Sequence, residues 1–214
     1  MMEKSEICEF KSLTNYWKKK LKGKHMPGFT NLRPNDDQIF NLQSKDKRYL
    51  ELLTDVSMEK IIKELINDPY YGAMPKNYPN YILGEYIYRK SSDSLRLHID
   101  SWMPAPGPLT WMIQVAFALD ERKKDDGCTI VVPGSHLTGE YTQRDFQNVV
   151  YLEAKPGDVI IWDSRLWHGA GENKTEKEAA VLVATLQRWW VKQRFDIPNT
   201  ISSEMMSKLS DKEK

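Results

Sequence analysis

Apolar positions change their rhythm about a third of the way along the chain. Over residues 57–67 they fall at Met58, Ile61, Ile62, Leu65 and Ile66, the spacing of one face of an α-helix. Asp55 or Ser57 is available to cap that helix, and Asp68-Pro69 stops it. Residues 69–80 mix Gly72, Pro75 and Pro79 with aromatics and predict an ordered loop. From Tyr81 the texture becomes that of strands: Tyr81 to Tyr88, Leu109 to Leu119, Thr129 to Val132, Val149 to Glu153, Val159 to Trp162 and Ala179 to Trp190. Turn residues separate them at Pro104-Ala105-Pro106-Gly107, Asp125-Asp126-Gly127, Pro133-Gly134-Ser135 and Pro156-Gly157-Asp158. Short strands without alternating helices argue for an antiparallel sandwich or jelly roll, mainly β with flanking helices. Ile201, Met205, Met206 and Leu209 recur at helical spacing, predicting one closing helix over Asn199 to Leu209, with Ser210 to Lys214 frayed. The expected organisation is one domain: a helical and irregular part (1–79), a β core (80–190), and a C-terminal helix and tail (191–214).

The 214 residues suffice for a single core. Lys and Arg number 31 against 30 Asp and Glu, a balance that gives no support for a nucleic-acid or membrane-surface partner. Lys18, Lys19, Lys20, Lys22 and Lys24 form a short basic run that reads as a solvated surface. Cys8 and Cys128 make no disulfide framework. No apolar run is long enough for a membrane span, and the first residues lack the apolar core of a signal peptide. The expectation is a cytoplasmic protein acting on a small molecule. Nothing in the sequence speaks to oligomeric state.

His98-Ile99-Asp100 and, seventy residues later, His168 offer a sharper reading. Residues i and i+2 of a strand share a face, so His98 and Asp100 can reach one metal from a strand end. His168 follows the strand-like Val159 to Trp162 and the Asp163-Ser164-Arg165 turn, so a neighbouring strand can deliver it. Two histidines and one carboxylate form the facial triad that suits ferrous iron and leaves positions open for oxygen and a co-substrate. By itself an H-x-D triplet is common, and a lone histidine is more often structural; the joint arrangement carries the argument. His136 is placed at the rim of such a site rather than on the metal, and His25 has no assigned role.

Beyond these residues the chain carries Ala118-Leu119-Asp120 followed by Asp126-Gly127-Cys128, then Val131-Val132-Pro133-Gly134-Ser135-His136, Lys155-Pro156-Gly157-Asp158, and Asp163 through Asn173. In this order, across residues 80–190, they resemble the phytanoyl-CoA dioxygenase family of Fe(II)/2-oxoglutarate-dependent oxygenases. The resemblance implies a double-stranded β-helix, a cupin-like jelly roll. It implies His98, Asp100 and His168 as catalytic iron ligands, and Fe(II) and 2-oxoglutarate as cofactor and co-substrate. Oxidative decarboxylation to succinate and carbon dioxide would drive hydroxylation of an unactivated C–H bond by dioxygen. The carboxylate of Asp100 favours hydroxylation over halogenation, because halogenating relatives carry a small residue there.

One family feature is missing. About eleven residues after the distal histidine, the family places an arginine whose planar fork grips the far carboxylate of the keto acid; here Ala179 stands near that place. Lys177, Arg188 or Arg96 is an alternative anchor, and Gln114 is a further candidate contact to keto acid or substrate. A weakly held or different keto acid, or loss of 2-oxoglutarate dependence, are the other two explanations. Trp102, Met103 and Trp111 frame a Pro-rich loop that serves either as packing or as the wall of an apolar pocket; Trp189 and Trp190 read as core or edge packing. Two competing identities stand beside the hydroxylase: a non-catalytic jelly-roll binding module, and a cupin-like iron oxygenase that does not use 2-oxoglutarate.

Overall fold

A computed structural model describes residues 2–21, 37–68, 70–75, 78–90, 94–141, 148–175 and 177–214. His25, Lys22 and Lys24 lie outside the described residues. Two antiparallel sheets face each other. Strand β1 (Asp37–Phe40) edges a five-stranded sheet of order β1-β2-β9-β4-β7, built with β2 (Tyr81–Lys90), β4 (Met112–Ala118), β7 (Val159–Asp163) and β9 (Ala180–Arg188). The second sheet has the order β3-β8-β5-β6, from β3 (Leu95–His98), β5 (Thr129–Val131), β6 (Val150–Leu152) and β8 (His168–Ala170). This is the expected jelly roll. The edge strand β1 and the short β3 and β8 go beyond the strands read from pattern.

Alternation along the long strands divides the molecule. Ile113, Val115 and Phe117 of β4 and Leu182, Ala184 and Leu186 of β9 turn outward to the helices. There they meet α1 (Lys4–Leu21), α2 (Lys47–Thr54) and α3 (Val56–Ile66) through Phe10, Leu13, Tyr49, Leu53, Met58 and Ile62. Each large apolar side chain buried in this layer contributes about 1.5–3 kcal/mol. Gln114, Ala116, Val181, Val183 and Thr185, the intervening residues, line the space between the sheets. Strand β2 needs a correction of phase to join this scheme. Tyr81 and Leu83 pack on the helix side, as do Tyr86 and Tyr88. A bulge between Leu83 and Glu85, with the extra residue at Gly84, reconciles the two pairs. It turns Glu85, Ile87 and Arg89 into the interior.

Helix α3 is capped by Asp55, whose carboxylate accepts from the Ser57 and Met58 amides. Its buried stripe is Met58, Ile62 and Ile66, while Ile61 and Leu65 are exposed. The single closing helix expected over 199–209 is instead two: α4 (Ile197–Thr200) and α5 (Ser203–Lys208). Ile201 is extended, and the Ser202 hydroxyl caps a fresh start by accepting from the Met205 amide. Residues 210–214 form a turn rather than a frayed end, with Glu213 accepting from the Ser210 amide and hydroxyl. No helix among the described residues is long and apolar enough to cross a membrane.

Candidate metal centre and its cavity

His98 closes β3, Asp100 stands two residues beyond it, and His168 opens β8, directly opposite His98 in the β3–β8 register. The apposition is close because residue 169 is glycine: a Cβ there would run into the Leu95 carbonyl oxygen. A second set of bonds fixes the approach. The Asp100 and Ser101 amides both donate to the Ser164 carbonyl, at 2.9 and 3.1 Å. The Ser135 hydroxyl accepts from the Trp167 amide at 2.9 Å, and the Val132 amide donates to the Trp167 carbonyl. The turn residues of Pro133-Gly134-Ser135 therefore hold the strand that carries His168.

The three side chains converge. His98 Nε2 lies 3.2 Å from one carboxylate oxygen of Asp100, and His168 Nε2 lies 3.1 Å from the other. One ligand atom from each residue falls within 4.8 Å of the others. Both Nδ1 atoms face backbone carbonyls, of Arg96 and Leu166, at 2.9 Å. A carbonyl only accepts, so each Nδ1 carries a hydrogen, and each Nε2 is the nitrogen turned to the Asp100 carboxylate, donating to it when protonated and able to ligate a metal once that proton has left. The donor set fits a hard-to-borderline divalent ion such as ferrous iron. Burial opposes ionisation of the Asp100 carboxyl, but the two imidazoles beside it hold it well below the usual carboxylate range. At His98 burial disfavours the charged ring, yet the hydrogen bond and charge of Asp100 raise its pKa above the ordinary value.

These residues open on a cavity of about 800 Å³ between the sheets. Its mouth holds Trp102, Arg194, Phe195, Phe40 and Glu85. The Arg194 guanidinium lies 4.6 Å from the Trp102 ring centroid and 3.9 Å from the Glu85 carboxylate. Burial pushes Glu85 up to about 7, against the pull of Arg194 and helped by the charge of Asp100. Toward the inner end lie Leu95, Ala170, Thr129, Val181, Arg89 and Arg122. Arg122 is buried and donates to the Ala179 and Gly127 carbonyls. Burial and the neighbouring Arg89 charge lower it to about 10.

Gln114 does face the interior. It is buried, accepts from the Thr185 hydroxyl at 2.9 Å and donates to Ser164 Oγ at 3.1 Å. Lys177 is exposed on the loop before β9, its carbonyl accepting from Asn173. Arg188 sits at the far end of β9, donating to the Thr110 and Asn67 carbonyls. Arg96 is exposed. None of these three is among the residues that line the cavity, and neither is His136. Of Trp102, Met103 and Trp111 only Trp102 lines it; Trp111 is buried near Trp190, and Met103 is exposed. Trp189 is half exposed, its ring stacked on Tyr71 at 4.3 Å. Arg165, read from the sequence only as part of a turn, ties the Pro-rich loop down: it pairs with Asp163 and donates to the Ala105 and Gly107 carbonyls. Arg89 and Arg122 also went unread. The only signal for Arg89 was its place one residue past Tyr86-Ile87-Tyr88, and the bulge makes that parity illegible.

A jelly roll whose two sheets enclose two histidines and one carboxylate defines the class of the facial-triad oxygenases. The phytanoyl-CoA dioxygenase family model matches residues 9–181; the chain belongs to that family, and with it to the Fe(II)/2-oxoglutarate-dependent oxygenases. The dioxygenase af480 of Aspergillus fumigatus is 28% identical over 191 residues, covering 83% of this chain and 59% of the relative. The dioxygenase cdmA of Talaromyces verruculosus is 27% identical over 143 residues, covering 64% and 48% respectively. The chain thus spans about half the length of these curated relatives. Among solved structures, EctD from S. alaskensis with 2-oxoglutarate and 5-hydroxyectoine superimposes with a TM-score of 0.69 at 17% identity, covering 88% of this chain and 70% of that one. HygX from Streptomyces hygroscopicus with nickel and 2-oxoglutarate gives 0.68 at 15% identity, covering 90% and 81%.

Proposed function

We propose that the protein is an Fe(II)- and 2-oxoglutarate-dependent dioxygenase that hydroxylates a C–H bond of a small organic metabolite, with His98, Asp100 and His168 as the iron ligands. The observation that carries this is the pair of Nε2 atoms facing one carboxylate, each ring fixed through Nδ1 by a backbone carbonyl. When bound, iron and keto acid supply the activation of dioxygen. The chain's own residues do the rest. Asp100, held by its amide on Ser164, keeps one metal position occupied by protein. Gln114, bonded at both ends, fixes Ser164 from the other side. Trp162, Ala116 and Val183 give the site apolar walls that limit water. The mouth formed by Trp102, Arg194 and Glu85 is where substrate enters, because it is the exposed end of the cavity.

Anaerobic addition of Fe(II) and 2-oxoglutarate tests the reading. The wild type should develop the weak visible charge-transfer band of the chelate, and His168→Ala should not. Asp100→Ala should lose succinate formation by at least about 100-fold, since second-sphere changes alone cost 10–100-fold. Iron binding without the band would favour the cupin-like oxygenase. Full turnover by Asp100→Ala would contradict the ligand assignment.

A further inference from the structure

The far carboxylate of a keto acid bound at this centre needs a cation, and the usual strand does not supply one. Val181 is the residue of early β9 that faces the cavity, and Ala179 just before it is fully buried with its carbonyl occupied by Arg122. The register of the neighbouring strand is the relevant observation. Arg89 of β2 pairs directly with Val181. The Gly84 bulge turns Arg89 inward, and its Nε and one terminal nitrogen are buried. Ala170, Thr129 and Leu95 lie at one level, because Ala170 is the register partner of both others. That level is two residues along β8 from His168, or about 7 Å, and Arg89 lines the same cavity from the facing sheet. Among the described residues, the carboxylates lining the cavity are Asp100, held between the histidines, and Glu85, near Arg194 at the mouth. Arg89 and Arg122 thus bring two guanidinium groups to one part of the cavity lining.

Resting on the keto-acid reading above, we propose that Arg89, projecting from β2 opposite Val181, is the residue that pairs with the far carboxylate of the co-substrate, moving the family's anchor to the adjacent strand. Arg122 is a positioning residue: two of its donors are spent on the Ala179 and Gly127 carbonyls, and its charge reinforces that of Arg89. A guanidinium on either strand can present the same planar fork to the same carboxylate. The chain thereby keeps the co-substrate while losing the arginine of β9.

The test compares two keto acids by anaerobic titration of the iron-loaded protein, read from the charge-transfer band. 2-Oxoglutarate has the far carboxylate and pyruvate lacks it. Wild type should bind 2-oxoglutarate much the more tightly. Arg89→Gln should raise the apparent Kd for 2-oxoglutarate at least about ten-fold while leaving that for pyruvate unchanged, so that the preference collapses. Arg89→Lys, which keeps the charge without the fork, should fall between the two and serves if the glutamine variant does not fold. Lys177→Ala, on the exposed loop, should behave as wild type. An unchanged 2-oxoglutarate affinity in Arg89→Gln, or an equal loss for both keto acids, overturns the anchor while leaving the keto-acid reading intact. A wild type that binds iron but gives no band with either acid overturns both.

Discussion

Glu85 shows how one buried side chain ties stability to pH. Its folded pKa, near 7 because of burial, exceeds the usual 4.5. Between those values the folded protein keeps a proton that the unfolded chain releases, so stability falls as pH rises. The neutral form's contribution is complete below about pH 4.5 and gone above about 7. The ceiling on the effect is about 3 kcal/mol, reduced by the partial exposure of the carboxylate and by Arg194 at 3.9 Å. Glu85→Gln should raise the melting temperature of the metal-free protein at pH 8 relative to wild type and leave it unchanged at pH 4.5. An equal shift at both pH values would remove burial of the charge as the cause. At this scale the triad was legible because H-x-D at a strand end is joined by a second histidine just after a later strand and by the ordered motifs around them. The anchor was not: Arg89 faces inward only because Gly84 adds one residue to β2, and a bulge leaves no periodicity to read.

Gly169 is the corresponding case among the elements. Strands β3 and β8 bring His98 and His168 together only if the backbone at 169 passes close to Leu95 and Arg96. Gly169→Ala should push the strands apart and weaken metal affinity by about 10–100-fold, the range typical of changes just outside the ligands. Ferrous-ion titration measures it, with circular dichroism to show that the fold persists. Wild-type affinity in that variant would mean the strands tolerate the added methyl. The long strands were readable because both of their faces are committed. On β4 and β9 one face buries against the helices and the other lines the cavity, so apolar and β-branched residues run through them. The three-residue β8 is too short to show a period. The broken end at 201–202 depends on a single Ser202 cap, which spacing alone cannot separate from a continuous helix.

Taken as a molecule, the protein puts its charge balance to unequal use. The net charge is +1, yet the cavity is divided, with arginines at its inner end, a carboxylate among the histidines, and a Glu85–Arg194 pair at the mouth. Helices cover the outer face of one sheet and leave the inner space to chemistry. On the proposed reading the keto acid takes the depth, the substrate takes the mouth, and a metal held by His98, Asp100 and His168 lies between them. Diffraction at the iron absorption edge, from crystals grown without oxygen in ferrous ion, tests this most directly. A single anomalous peak within bonding distance of His98 Nε2, His168 Nε2 and the Asp100 carboxylate is the predicted result; a peak elsewhere, or one touching fewer than all three residues, would contradict it.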